Sequence, residues 1–233
     1  MHLWSGRLCE LFVDFFFPSR CIGCGEWGSF LCAGCSTKLP RISMPVCAKC
    51  GRPESSGPLC SACWGWNSNI DGIRSSFRFD GVIRQAIYQL KYHNLKAIAG
   101  QMAEFLFQYM VQNPLPVDVL VAVPLHKRRL KHRGYNQSEL IAKKLSNLSL
   151  LPVLTDCLYR SKDCPPQART ETVEERRKNV YDAFICRDLR LMGKRVLLID
   201  DVCTSGATLE ACAAALKLAR ASSVWGLTLA REV

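Results

Sequence analysis

Between residues 21 and 63 the chain carries four C-x-x-C pairs: Cys21 and Cys24, Cys32 and Cys35, Cys47 and Cys50, Cys60 and Cys63. A tight turn aims two thiols so spaced at one ion, and two such knuckles complete a tetrahedral zinc site. The pattern occurs twice, with short spacers inside each half, and a glycine (Gly25, Gly51) follows the first knuckle of each. These residues predict a double zinc ribbon with two structural ions. Sequential pairing within each half is favoured, and an interleaved pairing of Cys21 and Cys24 with Cys47 and Cys50 is the alternative. Metal binding then supplies folding free energy to a segment with little apolar core of its own.

Two other readings of this region fail on context. Thioredoxin-like redox chemistry needs a strand and helix around its C-x-x-C, and none frames these pairs. The stretch GCGEWG, Gly23–Gly28, matches a dinucleotide fingerprint in letters only, because no strand precedes it and no helix follows. The chain has 14 cysteines in all. Those outside the pairs stand singly, which predicts free thiols and a cytoplasmic location.

The first 20 residues place Leu8, Leu11, Phe12, Phe15 and Phe16 at helical spacing, interrupted by Asp14 and closed by Pro18. They predict a helix that docks on the fold, too short to cross a bilayer. The expected organisation is therefore an N-terminal helix over 1–20, the ribbons over 21–66 and a larger domain over 71–233.

In the larger domain, β-rich apolar runs at 117–124, 153–160, 195–200 and 223–230 alternate with helical periodicity. Leu140, Ile141, Leu145 and Leu148 mark one helix face, and Leu209, Cys212, Ala213 and Leu216 another. Alternation of this kind predicts an α/β fold with a mostly parallel sheet, whose ligands bind beyond the carboxyl ends of its strands. The run VLLIDDVCTSGAT lies at such an end. A loop of Thr204, Ser205, Gly206, Ala207 and Thr208 opening a helix offers converging N–H groups, hydroxyls and a positive dipole end, which is a cradle for one phosphate. Asp200 and Asp201 would repel that phosphate, but they suit the cis-diol of a ribose. A ribose 5-phosphate moiety satisfies both halves, and no G-K-[ST] is present for a nucleoside triphosphate.

The formal charge of +11 calls for an anionic partner or serves solubility. Residues 1–70 are nearly balanced, so the excess belongs to the larger domain. Its densest run, HKRRLKHRGYNQ, holds Lys127, Arg128, Arg129, Lys131 and Arg133, with Tyr135 as a stacking face. Three uses compete: contacts to single-stranded DNA phosphates, clamps on a pyrophosphate, and a solvated surface.

The acidic run and its loop resemble the phosphoribosyl pyrophosphate (PRPP) motif of type I phosphoribosyltransferases. More broadly, the knuckles after FFFPSRCIGCG, LKYH at Leu90–His93, VPLHKRRLKHRGYNQSELIA at Val123–Ala142 and QARTETVEERRKNVYDAF at Gln167–Phe184 make the chain similar to the ComF (ComFC) competence family. The resemblance implies a type I phosphoribosyltransferase fold behind the ribbons. It implies Asp200 and Asp201 on the ribose hydroxyls, Thr204–Thr208 on the 5-phosphate, and magnesium entering with PRPP. By the same resemblance Pro124, Leu125 and His126 form the pyrophosphate loop, and Arg160 and Lys162 open a lid that excludes water. Lys91 joins the PRPP site because a charge beside an apolar helix face needs a partner.

Two functions follow. One is PRPP-dependent handling of incoming single-stranded DNA in natural transformation, with other competence or DNA-processing proteins as partners. The other is transfer of ribose 5-phosphate to a base or related acceptor. No residue set that specifies a base is legible in residues 71–115.

Overall fold

The computed structural model describes residues 19–161 and 183–233. The expected amphipathic helix at the start, Lys162 and almost all of the 167–184 segment lie outside them.

Strands β1 (Gly72–Arg78), β2 (Val119–Ala122), β3 (Val153–Leu154), β6 (Arg195–Cys203) and β7 (Ser223–Arg231) form one parallel sheet in the order β1-β7-β6-β2-β3. Helices α2 (Gly81–Tyr92), α3 (Ala99–Gln112) and α5 (Gln137–Ser149) cover one face and α6 (Ala207–Leu218) the other. The ribbons contribute the short helix α1 (Ala33–Thr37), and α4 (Lys127–Arg133) follows β2. Burial on both faces explains why Val196–Ile199 reads as an unbroken apolar run. Leu197 and Ile199 enter the core under α2, α3 and α5, while Val196 and Leu198 pack toward α6.

Two expectations about strands change. The run 153–160 is two strands: β3 closes the sheet, whereas β4 (Leu158–Arg160) pairs antiparallel with β5 (Phe184–Cys186). Between them Asp156 turns outward to an ion pair with Arg190 at 2.7 Å. Strand β1 was absent from the expected set because its sequence, GIRSSFR, is half polar. Two of its polar side chains are satisfied internally: Ser75 Oγ and Thr228 Oγ1 lie 2.6 Å apart, and Arg74 donates to the carbonyls of Ile73 and Ala48, while Ser76 Oγ is buried without a partner. On α6 the four expected residues are buried, but on α5 Leu148 is exposed and Ala142 takes part in the core instead.

Strand β1 is a sheet edge, and the ribbons cover it. Ile73 N donates to Lys49 O at 2.8 Å, Arg78 N to Pro40 O at 2.7 Å, and Ile42 N to Ser76 O at 3.3 Å. Gly51 permits this contact, since a Cβ there would lie 2.3 Å from Ile73 O and the backbone has φ +71°. Leu31 and Leu39 belong to the main core, and Gln101 holds the Leu31 backbone from α3. Buried Arg231 donates to Cys50 O from the end of β7.

Candidate functional site

The eight paired cysteines gather into two clusters, Cys21, Cys24, Cys32, Cys35 and Cys47, Cys50, Cys60, Cys63, with the sulfurs of each within 4.8 Å of one another. Pairing is therefore sequential. The two halves repeat each other in detail. Cys32 N donates to Cys21 Sγ (3.3 Å) and Cys60 N to Cys47 Sγ (3.4 Å); Gly25 N and Gly51 N return to the carbonyls of Cys21 and Cys47. Cys24 and Cys32, like Cys50 and Cys60, have sulfurs 3.6 Å apart, close to the ~3.8 Å edge of a tetrahedron with Zn–S near 2.3 Å. Burial raises the Cys21 and Cys47 thiols, but the backbone N–H groups aimed at them outweigh it and bring both to about 6, favouring the thiolate that a metal needs. The donor set suits two structural zinc ions.

The second cluster of chemistry lies at the carboxyl end of β6. Asp200 and Asp201 are both buried. Asp200 Oδ1 accepts from Ser138 Oγ at 2.8 Å and from Asp201 N at 2.9 Å. Asp201 Oδ2 meets Lys91 Nζ at 2.9 Å. Lys91 thus has the partner its position demanded. Burial pulls its pKa down, the Asp201 charge and hydrogen bond pull it up more strongly, and the net direction is up. Burial, with Asp201 adjacent, pushes Asp200 up to about 7.

Around this pair the neighbouring loops converge. After β6, Thr204 is exposed, Ser205 and Thr208 are half-buried, and Gly206 turns with φ +81° to cap α6. A Cβ on Gly206 would lie 3.0 Å from Ile73 Cδ1, so glycine serves both the turn and the packing. Ser205 Oγ accepts from Ala207 N at 3.4 Å. After β2, Pro124, Leu125 and His126 are half-buried, and His126 Nδ1 caps α4 by accepting from Arg128 N at 3.3 Å. Asn136 fastens this loop, donating from Nδ2 to Val123 O (3.0 Å) while its Oδ1 caps α5 at Ser138 N (3.1 Å). Ser138 and Asn136 are site residues to which sequence reasoning gave no role, although both stand inside GYNQSE.

The remaining expected residues lie as follows. Tyr135 is buried and donates its hydroxyl to Leu90 O, so it braces the turn before Lys91 instead of presenting a face to a base. The basic run forms the helix α4. Lys127, Arg128 and Lys131 are exposed, whereas Arg129 is half-buried, and Arg133 donates to Gln137 and lies over the Tyr92 ring. Arg160 ends β4 with its guanidinium 5.4 Å from the Phe184 ring centroid and a buried Nε.

The described residues include no helix long and apolar enough to cross a membrane. Residues 12–64 match the family model for a double zinc ribbon domain. The chain is 29% identical to competence protein ComFC of Bacillus subtilis over 210 residues, covering 87% of this chain and 84% of that protein. It is 29% identical to competence protein F of Haemophilus influenzae, covering 92% and 99%, and 28% identical to DNA utilization protein YhgH of Escherichia coli K12, covering 87% and 91%. Among solved structures it is similar to the glutamine PRPP amidotransferase of B. subtilis complexed with ADP and GMP, at a TM-score of 0.40 and 18% identity, over 57% of this chain and 26% of that one. Over nearly its full length the chain is thus similar to the ComF (ComFC) competence proteins, with two four-cysteine clusters and a parallel α/β domain behind them.

Proposed function

We propose that the protein binds PRPP at the carboxyl end of β6 and handles single-stranded DNA in the cytoplasm during natural transformation. The buried pair Asp200 and Asp201 carries this reading. It stands directly before a turn and helix start that can receive one phosphate, and two buried acids side by side are costly unless a ligand uses them. The carboxylates would accept from the two ribose hydroxyls and residues 204–208 would hold the 5-phosphate. The loop of Pro124, Leu125 and His126 would face the pyrophosphate, with which magnesium enters as part of the ligand. Lys91 pairs with Asp201, and Ser138 orients Asp200. Arg160, at the edge of the described segment, and Lys162 would close a lid over the sugar.

The DNA part rests on the exposed cations of α4 beside this site and on the competence proteins that the chain resembles. Replacing Arg128 and Arg129 with alanine should weaken binding of an oligo-dT strand and flatten its log–log salt dependence by up to about 1.4, since each phosphate neutralised on a single strand contributes about 0.7. An unchanged slope removes α4 from the DNA contact.

The intact acid pair, which DNA binding by itself does not require, favours a second reading: transfer of ribose 5-phosphate from PRPP to an acceptor. Release of pyrophosphate that depends on an added base or nucleotide, and is lost with Asp200 and Asp201, would establish that reaction.

A further inference from the structure

On α2, Arg84, Tyr88 and Tyr92 stand four residues apart and so share one ridge about 12 Å long. The opposite face of the helix, with Ile83, Ala86, Ile87 and Leu90, is buried in the core. The ridge is not: Tyr88 is 43% and Tyr92 64% exposed. Its rings are ordered by one another and by cations. Phe79 stacks on Tyr88 with centroids 6.4 Å apart, and Tyr88 meets Tyr92 at 5.4 Å. The Arg84 guanidinium lies 5.7 Å from both Phe79 and Tyr88, and that of Arg133 lies 5.5 Å from Tyr92. A cleft of about 590 Å³ runs beside the ridge between Ile22 and Arg84, Tyr88 and Gln89. Its acid, Asp80, is occupied in capping α2 through Gly81 N at 2.7 Å.

We infer that this ridge is a stacking platform for unpaired bases, and that single-stranded DNA runs from α4 over Tyr92 and Tyr88 to Arg84. The inference rests on the DNA reading proposed above and deepens it by naming where the bases go. Two features favour a nucleic acid over a protein partner. The aromatic faces alternate with guanidinium groups at about base-to-phosphate separations, which is how sequence-tolerant single-strand sites are built. Arg133 also joins the ridge to the exposed cations Lys127, Arg128 and Lys131, so phosphates have a continuous positive track in a chain of net charge +11. One end of the ridge, Tyr92, is next in sequence to Lys91, whose ammonium binds Asp201.

The test compares full-length protein with Tyr88→Ala/Tyr92→Ala and Tyr88→Phe/Tyr92→Phe by fluorescence anisotropy. The probes are a labelled oligo-dT and an abasic deoxyribose-phosphate strand of the same length. Loss of two stacked bases, at roughly a factor of five or more each, predicts at least a tenfold weaker oligo-dT complex for the alanine variant. Its affinity for the abasic strand and its salt slope should equal those of the wild type, because no phosphate contact is removed, and the phenylalanine variant should bind oligo-dT normally. An alanine variant that binds oligo-dT within twofold of the wild type overturns the platform and leaves the α4 contact standing. Equal losses on oligo-dT and on the abasic strand overturn it too, since the rings would then serve the fold. Wild-type protein that binds neither strand overturns the DNA reading together with the platform.

Discussion

Asp200 shows how far one side chain departs from what its sequence position suggests. A carboxyl fully enclosed beside a second carboxylate holds its proton up to about 7 against an ordinary value of 3.8. In the folded protein the proton is bound more tightly than in the unfolded chain. Its contribution to stability is therefore complete below pH ~4 and is lost as pH rises through about 7. Asp200→Asn removes the ionisation while keeping the shape. Without ligand, the variant should be more stable than the wild type at pH 8, by on the order of 2–4 kcal/mol, and this advantage should shrink toward pH 5. Thermal melts across that range check it, and a difference that does not vary with pH would contradict the burial argument. Lys91 belongs to the same account. Sequence reasoning required it to have a partner without identifying one, because Asp201 is more than a hundred residues away and only the fold makes them neighbours.

Among the elements, the second ribbon bears most directly on the sheet. Its knuckle gives Ile73 the carbonyl of Lys49 and receives Arg231 on the carbonyl of Cys50, and Ile73 in turn packs under Gly206. Losing this zinc should therefore uncover the β1 edge as well as unfold the ribbon. Cys47→Ser should hold one zinc ion per chain instead of two, and amide hydrogen exchange should quicken in residues 47–63 and along β1. Metal analysis showing no zinc in the wild-type protein, or exchange unchanged in β1, would contradict that coupling. The ribbons themselves were legible in the spacing of the cysteines, since the knuckle is a local device. Strands β6, β7 and β2 were legible because burial on both faces writes an unbroken apolar run. Strand β1 was not, since Arg74 and Ser75 find their partners in the ribbon and across the sheet. Tyr135 misled for the related reason that a tyrosine within a basic run looks exposed until the core claims it.

Over the whole molecule, the parallel sheet brings the carboxyl ends of β2 and β6 side by side, so two loops far apart in sequence face one pair of acids. The acids and the loop after them could be read together from sequence because they are contiguous. Ser138 and Asn136 could not, since their roles depend on α5 starting beside Val123 and Asp200. The link from α4 to the aromatic ridge escaped notice likewise, because Arg133 meets Tyr92 only when α4 lies against the end of α2. The account turns on Asp200 and Asp201 as receivers of a ribose diol. Its most direct test is calorimetric titration of the zinc-loaded protein with PRPP and magnesium, comparing wild type with Asp200→Asn/Asp201→Asn. The account predicts saturable binding by the wild type and none by the variant, whose fold is checked by circular dichroism because Asp201 also pairs with Lys91. Equal PRPP affinity in the two proteins would contradict it.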